Sequence, residues 1–407
     1  MTHDHPGPPH PAAALSQPAL DWTQRLVSLD TTSRNSNLGL VETVRDHLRS
    51  EGFTCHLSYN ADGGKANLFA TLAAANGDTQ GGIVLSGHTD VVPVDGQSWD
   101  TDPFCPSTKN GRLYGRGTCD MKGFLGVALG LVPMLRQTAL ARPMHLALSY
   151  DEEVGCAGAP GMLLDLQQRG LRPDGCIVGE PSSMRVIVAH KGMNAYRCCV
   201  TGHAAHSSLT PRGVNAIEYA ARLICHIQDL AREFETQGPY DHAFDVPFTT
   251  ASTGTIRGGI AFNTVPDQCD FDFEFRNLPG CDAAQILQRI RDYAEGSLVP
   301  RMRKIHAQAG IRFEPISASP ALDMAEQAAI HQLVRALRRD RDTRKVAYGT
   351  EAGLFQQAGI PSVVCGPGSI EQAHKPNEYV ELEQLASCER FLRKVIASQS
   401  VEGAAGT

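Results

Sequence analysis

The sequence LSGHTDVV, at residues 85–92, is the stretch that decides the fold. It extends the apolar run 83–85, which is typical of a short buried strand. His88 lies at or just past the end of that strand, two residues before Asp90. A histidine that binds a metal usually has its second ring nitrogen held by a carboxylate or a carbonyl group. The pattern therefore indicates a buried strand that ends at a candidate metal ligand.

Other polar segments of the same kind occur along the chain. Each places a carboxylate or an imidazole in a short break beside an apolar run, and they are CDMKG at 119–123, DEEVG at 151–155, GEPSS at 179–183 and EQAHKPNEY at 371–379. His-x-Asp alone is a weak signal, but five such breaks in one chain indicate a single metal site assembled from loops.

Each candidate residue also has a simpler structural explanation. His88 could be a core histidine, and Asp120 could cap the helix that follows it. Glu180 and His374 could lie in exposed turns. The three acids at 151–153 are of a kind that usually forms a solvated turn, but here they follow a buried-looking strand, where like charges repel unless a cation neutralises them. Taken together, the five segments favour a metal site.

The mixture of histidine and carboxylate ligands favours zinc or a similar divalent ion. Five ligands that include two histidines suit two ions sharing one carboxylate, and two such ions can activate a water between them. One acid must then remain free of metal to accept a proton from that water. The adjacent Glu152 and Glu153 can supply both roles, one as base and the other as ligand.

Bulk properties of the chain restrict its class. A length of 407 residues suggests two or more domains, and the net charge of −7 argues against nonspecific nucleic-acid binding. No apolar run reaches the length of a membrane span. Residues 1–18 are rich in Pro, Ala and His, which predicts a disordered tail and not a secretory signal. The twelve cysteines contain no CxxC pair, so we expect free thiols and a cytoplasmic location.

Apolar runs that alternate with helical segments predict an α/β fold with a mostly parallel sheet flanked by helices. Ligands of such sheets gather beyond the carboxyl ends of the strands. The predicted strands are NLFATLA, GIVLSGH, MHLALSY, GCIVGE and SVVCG, and the predicted helices cover 21–29, 40–52, 121–135, 159–169, 324–339 and 382–398.

The pattern changes after residue 192. The order β-α-β-β-α-β follows, and its third strand alternates buried and polar residues from Cys269 to Phe275 with a period of two. This order predicts an inserted ferredoxin-like α+β domain. Because the α/β pattern resumes after Pro315, the catalytic domain is expected to be discontinuous. It would cover 19–192 and 310–407, and the insertion would cover 193–309.

At this point the motifs resemble the acetylornithine deacetylase/succinyl-diaminopimelate desuccinylase family of two-zinc amidohydrolases. The resemblance implies two zinc ions, for which cobalt could substitute. It implies that His88 and Glu180 bind one ion, that Glu153 and His374 bind the other, and that Asp120 bridges the two.

The same resemblance implies roles for residues that bind no metal. Glu152 would be the general base and Asp90 the carboxylate that orients His88. His206 would stabilise the oxyanion in the active site of a partner subunit, so we expect a homodimer through the inserted domain. Three further residues resemble substrate contacts, although a turn amide, a surface arginine and a helix cap are their simpler explanations: Asn263, Arg276 and Thr350.

Within the family, several segments fit the deacetylase branch better than the desuccinylase branch. They include VGCAGA at 154–159, AHSS at 205–208, FRNLPG at 275–280 and YGTEA at 348–352. The branch implies hydrolysis of N2-acetyl-L-ornithine to L-ornithine and acetate in arginine biosynthesis. A sibling N-acyl amino acid deacylase, a desuccinylase, a metallo-dipeptidase and an inactive metal-binding scaffold are the alternatives. Neither a nucleic-acid nor a membrane partner is expected.

Overall fold

The computed structural model describes residues 14–404. Its helices and strands follow one another in an α/β order that is interrupted once, by an inserted segment. The first part contains α1 Gln17–Val27, α2 Leu38–Ser50, β1 Thr54–Tyr59, β2 Ala66–Leu72, β3 Ile83–His88, β4 Ser107–Lys109, β5 Arg112–Tyr114, α3 Lys122–Gly130, α4 Val132–Gln137, β6 Met144–Ser149, α5 Ala159–Gln168, β7 Gly175–Pro181 and β8 Ile187–His190. The middle part contains β9 Met193–Thr201, β10 Ala205–His206, α6 Ala216–Gln237, β11 Thr250–Gly258, β12 Thr264–Val265, β13 Gln268–Arg276, α7 Ala283–Tyr293, α8 Val299–Arg303 and β14 Gly310–Ser319. The last part contains β15 Leu322–Asp323, α9 Ala329–Arg338, β16 Arg344–Val346, α10 Ala352–Gln357, β17 Ser362–Gly366, β18 Tyr379–Glu381, α11 Leu382–Ser398 and α12 Val401–Ala404.

The first and last parts together build a nine-stranded sheet in the order β1-β2-β6-β3-β7-β17-β8-β15, with β16 beside β8. Its central strands β6, β3, β7 and β17 are parallel, whereas β1 and β2 are antiparallel additions at one side. Every residue of β3, β6, β7 and β17 is buried. This confirms the predicted α/β class and places the carboxyl ends of the central strands at one edge.

Helices cover both faces of the large sheet. One apolar core joins the sheet to α1, α2, α3, α4, α9 and α11, and a second joins it to α5 and α10. Gly179 shows how closely these layers approach, because a Cβ added there would lie 2.0 Å from the Phe124 ring of α3. This packing fixes the backbone of the residue that follows, Glu180.

The middle part forms a separate four-stranded antiparallel sheet in the order β11-β13-β9-β14. Its core is distinct and combines α6 and α7 with one face of β13. The apolar residues of the predicted alternation are the buried ones, namely Cys269, Phe271, Phe273 and Phe275. The order of strands and helices is that of the predicted ferredoxin-like insertion. Met193 and Ser319 are paired across β9 and β14, so the chain enters and leaves this sheet at adjacent positions.

Two predicted boundaries need correction. The predicted insertion ends at residue 309, but β14 continues to Ser319 in the four-stranded sheet. The α/β pattern that resumes after Pro315 predicts an earlier end of the insertion, but Pro315 lies at a register shift of an edge strand, where proline is tolerated. The predicted tail extends to residue 18, but α1 begins at Gln17 and the Ser16 N–H donates to Glu389 at 2.8 Å. Residues 1–13 of that predicted tail lie outside the described residues.

The long helices are the elements that would have to cross a bilayer. Within residues 14–404, none of them combines the length and the hydropathy that a membrane span requires.

Candidate metal centre

The predicted ligands converge at the carboxyl edge of the large sheet. His88 is the last residue of β3, and Glu180 lies near the end of the adjacent strand β7. Glu153 follows β6, Asp120 precedes α3, and His374 follows a short 3-10 turn at 370–372. Because parallel strands end at one edge, residues that are far apart in sequence meet there.

The first group of candidate ligands surrounds His88. Its Nε2 lies 3.0 Å from Asp120 Oδ1 and 3.6 Å from Glu180 Oε1. Its Nδ1 donates to the carbonyl oxygen of Asp90 at 2.9 Å. A hydrogen on Nδ1 leaves the lone pair of Nε2 free, which is the state that a metal-binding imidazole needs.

The second group surrounds His374. Its Nε2 lies 2.9 Å from Glu153 Oε2 and 3.5 Å from Asp120 Oδ2. Asp120 therefore turns one carboxylate oxygen toward His88 and the other toward His374. This arrangement suits a carboxylate shared by two ions. It also replaces the simpler explanation of Asp120 as a helix cap, because α3 begins at Lys122 without a side-chain cap.

The charges of the centre are unbalanced in the absence of a cation. Burial raises the pKa of Glu180, and the Asp120 charge adds to this effect. Burial and the Asp120 charge likewise raise the pKa of Glu153 to about 7. Hydrogen bonds to Asp120 and Glu153 raise the pKa of His374 to about 10. The buried Oε1 of Glu180 has no hydrogen-bond partner among the described residues. A buried polar atom without a partner is costly, and a bound cation would satisfy it.

These residues fit divalent ions. Ligand atoms of His88, Glu152 and Glu180 lie within 4.8 Å of one another, as do those of His88, Asp120 and Glu153. Imidazole nitrogens with carboxylate oxygens suit zinc and related first-row metals. The donor set is therefore consistent with the binuclear metal site expected from the sequence.

Glu152 differs from its neighbour Glu153 in its contacts. Whereas Glu153 contacts His374, an oxygen of Glu152 accepts a hydrogen bond from the Cys156 thiol at 3.3 Å. Burial raises the pKa of Cys156 well above its usual value, so the sulfur remains protonated and able to donate. Glu152 thus lies close to His88 and Glu180, but its own hydrogen bond is with Cys156 and not with a histidine.

Asp90 contacts both the His88 imidazole and the acidic loop at 151–153. Its Oδ1 accepts the Glu152 N–H at 3.0 Å, and its Oδ2 accepts the Glu153 N–H at 3.2 Å and the Ser33 hydroxyl at 2.7 Å. The expected contact from this carboxylate to His88 Nδ1 is longer, at 3.6 Å. The Asp90 carbonyl group therefore makes the shorter contact with His88, and the Asp90 carboxylate also fixes the backbone of Glu152 and Glu153.

A cleft of about 300 Å³ opens beside the acids. Arg276, at the end of β13, and Met193, at the start of β9, line it from the four-stranded sheet. Tyr348, in the loop after β16, lines it from the opposite side and donates its hydroxyl to the Pro181 carbonyl at 3.2 Å. Both parts of the chain therefore contribute walls to the cleft, and the predicted substrate contact Arg276 lies in it.

The remaining predicted contacts lie elsewhere. Thr350 is buried, and its hydroxyl accepts the N–H of Ala352, the first residue of α10, at 3.1 Å. His206 is exposed, and its Nδ1 contacts the Ser208 hydroxyl at 2.8 Å. Asn263 is next to Thr264, the strand partner of His206, and its carbonyl accepts the Ser207 N–H. Neither His206 nor Asn263 is among the residues that line the cleft.

Sequence reasoning missed three residues around the centre: Cys156, Tyr348 and Glu378. All three lie inside segments that were recognised, namely VGCAGA, YGTEA and EQAHKPNEY. Position in a motif was thus the available signal, but contacts across the fold were needed to give each residue a function.

The fold and the group of acids and histidines at its carboxyl edge define a metallo-hydrolase. The sequence matches peptidase family M20/M25/M40 over residues 84–398, and the chain belongs to that family. It is 34% identical over 382 residues to acetylornithine deacetylase of Pasteurella multocida strain Pm70, covering 93% of this chain and 95% of that protein. It is 33% identical over 380 residues to acetylornithine deacetylase of Proteus mirabilis strain HI4320, covering 92% and 93%.

Solved structures share the fold at lower identity. An M20 family metallo-carboxypeptidase from Sulfolobus solfataricus superposes with a TM-score of 0.72 at 17% identity, over 94% of this chain and 99% of that one. The aminopeptidase PepT from Bacillus cereus superposes with a TM-score of 0.69 at 19% identity, over 94% and 98%. These similarities confirm the architecture.

Metal should stabilise the protein more at pH 8 than at pH 5.5. Because the pKa of Glu153 is raised from 4.5 to about 7, this residue contributes to the stability of the metal-free fold below pH 4.5. That contribution is lost as the pH rises from 4.5 to 7. The pKa of His374 is likewise raised, to about 10, so its contribution to the stability of the metal-free fold is lost as the pH rises from 6.5 to 10. The metal-free protein therefore loses stability as the pH rises. Bound cations would neutralise the ionised carboxylates and so remove this loss.

Thermal unfolding of chelator-treated and Zn²⁺-reconstituted protein at the two pH values measures this effect. We expect the larger difference in Tm at pH 8, and Glu153→Gln should reduce the pH dependence of the metal-free form. An equal or larger difference at pH 5.5 would contradict the charge argument.

Proposed function

We propose that this protein is a two-metal deacylase that hydrolyses N2-acetyl-L-ornithine to L-ornithine and acetate, a step of arginine biosynthesis. The main support for hydrolysis is that the two adjacent acids have different contacts. Glu153 contacts the candidate ligand His374, whereas Glu152 accepts a hydrogen bond from Cys156 and could serve as a base. The choice of substrate is supported by the two deacetylases that are 34% and 33% identical over more than nine tenths of the chain.

The distances around His88 and His374 support two groups of proposed ligands. His88 and Glu180 would hold one ion, Glu153 and His374 the other, and Asp120 would serve both. Zinc is the expected metal, and cobalt could replace it. When bound, such ions lower the pKa of a water and polarise the carbonyl group of an amide.

Glu152 performs the proton transfers in this proposal. It accepts a proton from the attacking water and then gives that proton to the nitrogen of the leaving amine. Burial raises the pKa of Glu152 well above its usual value, and the Glu153 charge adds to this. A carboxylate close to bound cations ionises more readily, so the acid can still act as a base.

Arg276 is the proposed contact for the α-carboxylate of the substrate. It is half-buried in the cleft, and its contacts with Glu274 are long, at 3.3 and 3.4 Å. A guanidinium group with such weak internal contacts can still form paired hydrogen bonds with a carboxylate. Asn263 and Thr350 were proposed with it, but neither lines the cleft, and Thr350 has a structural role.

We also propose that the insertion is a domain through which two copies associate. Its strand β11 is an edge strand, and the loop that follows exposes Ile260 by 89% and Phe262 completely. Exposed apolar side chains beside an open strand edge are typical of an interface. Such a dimer would give the exposed His206 a route to the other subunit's cleft, where it would stabilise the oxyanion.

The alternatives lie within and outside enzyme function. A dipeptidase or another acyl amino acid deacylase would use the same metal site with different cleft contacts. An inactive scaffold would be expected to lack the base or a ligand, whereas this chain retains every residue proposed for either role.

Hydrolysis of a substrate panel tests the proposal. The Zn²⁺-loaded protein should cleave N2-acetyl-L-ornithine far faster than N-succinyl-diaminopimelate or simple dipeptides. Arg276→Lys should raise KM for acetylornithine, because lysine cannot form the paired contact. A preference for the succinyl substrate or a dipeptide would overturn the proposed substrate while leaving the metal site standing, and no hydrolysis at all would favour the scaffold.

A further inference from the structure

A buried carboxylate outside the proposed ligand set connects two of the ligand loops. Glu378 is 1% exposed, and its Oε1 accepts the N–H groups of Cys119 and Asp120 at 2.8 and 3.1 Å. Its Oε2 accepts the Gly117 N–H at 3.0 Å and the Arg116 guanidinium at 2.8 Å. The side chain thus holds the whole backbone turn that carries the shared ligand Asp120.

Arg116 extends this contact to the loop of His374. The guanidinium is also 1% exposed, and it donates to the Lys375 carbonyl at 3.3 Å and to Gln97 Oε1 at 2.6 Å. Gln97 in turn donates to the His374 carbonyl at 2.9 Å. The carbonyl groups of His374 and the next residue are therefore tied to the turn that carries Asp120.

The loop that carries His374 needs such external contacts. His374 and Asn377 have φ values of 64° and 56°, a region that non-glycine residues rarely adopt. The ligands of the other group are held differently, because His88 and Glu180 belong to β3 and β7, which pair directly. One proposed ion is thus bound by residues of the sheet, whereas the other depends on loops.

We propose that Glu378 is a positioning residue that keeps Asp120 and His374 in register and so retains the ion assigned to Glu153 and His374. The inference rests on the two-metal site proposed above. Residues that orient metal ligands typically contribute about 10–100-fold to metal affinity. Loss of the Glu378 charge should therefore weaken binding of that ion by this factor. Binding of the ion of His88 and Glu180 should weaken less, because it shares Asp120 but its other two ligands lie on paired strands.

Zn²⁺ titration of metal-depleted protein, with a competing chelator, tests this. Wild type should bind two ions, and Glu378→Gln should bind one about 10–100-fold more weakly, with a clearly smaller loss of affinity for the other. Gln97→Ala should shift the affinity for the more weakened ion in the same direction but by less. Gln97 is only partly buried, so this variant tests the proposal even if the unpaired Arg116 prevents Glu378→Gln from folding.

Glu389→Gln is the matched control. Glu389 is 4% exposed and accepts from Arg393 and the Ser16 N–H, so its loss should lower Tm while both Zn²⁺ affinities stay at the wild-type value. If Glu378→Gln left both Zn²⁺ affinities unchanged, or lowered both equally, the positioning role of Glu378 would be overturned but the two-metal proposal would not. Fewer than two ions on wild type would overturn the two-metal proposal and this inference together.

Discussion

Glu152→Gln should lower kcat for acetylornithine by about 10²–10⁴-fold, the usual contribution of a general acid–base group, while Zn²⁺ content stays at the wild-type level. Glutamine preserves the shape and can still accept the Cys156 hydrogen bond, but it cannot take a proton from water. Steady-state hydrolysis together with metal analysis of the purified variant measures both quantities.

The neighbouring acid provides the comparison. Glu153→Gln should lose metal, because it removes a charged partner of His374. Glu371→Gln, on the exposed surface of the segment that carries His374, should change neither kcat nor Zn²⁺ content. If Glu152→Gln lost metal and Glu153→Gln kept it while losing turnover, the roles of the two acids would be reversed.

His206→Ala should lower kcat by about 10²–10³-fold with Zn²⁺ retained, the usual cost of losing one oxyanion donor. The proposed reason is that His206 completes the cleft of the partner subunit. His203→Ala is the matched control, since His203 is another exposed histidine of the same segment, stacked on His306 at 4.0 Å. This control should retain nearly full activity.

Subunit mixing then tests whether His206 acts across the dimer. When inactive His206→Ala and inactive Glu152→Gln proteins exchange subunits at equal amounts, half of the dimers are hybrids, and each hybrid has one intact site. Activity should therefore recover to about a quarter of wild type. No recovery, despite demonstrated exchange, would mean that His206 acts within its own chain or only supports the loop.

The strands and the positions of the ligand loops could be predicted from the sequence because both depend on local patterns. The apolar run before His88 predicts a buried strand, and polar residues that follow such strands meet at one edge of a parallel sheet. The alternation from Cys269 to Phe275 likewise predicts a half-buried strand. These inferences needed only the period of the pattern and the direction of the strands.

Contacts made by loop backbones could not be predicted in this way. Glu378 binds N–H groups about 260 positions earlier in the chain, and no local pattern specifies that pairing. The Asp90 carboxylate binds the backbone of the acidic loop, in which Asp151 takes a φ of 54°, and no local pattern specifies either feature. The strand β14 passes through Pro315 because it lies at the edge of its sheet, a position known only once the sheet is assembled.

The pairing of Met193 with Ser319 has a consequence for how this architecture can change. A segment whose two ends lie side by side can be gained or lost without stretching the chain that hosts it, as with other inserted domains. Replacing residues 194–318 by a short turn would leave the path of the large sheet intact. The host would then keep the proposed metal ligands but lose the wall that Arg276 supplies, so the proposed metal binding and substrate contact depend on different parts of the chain.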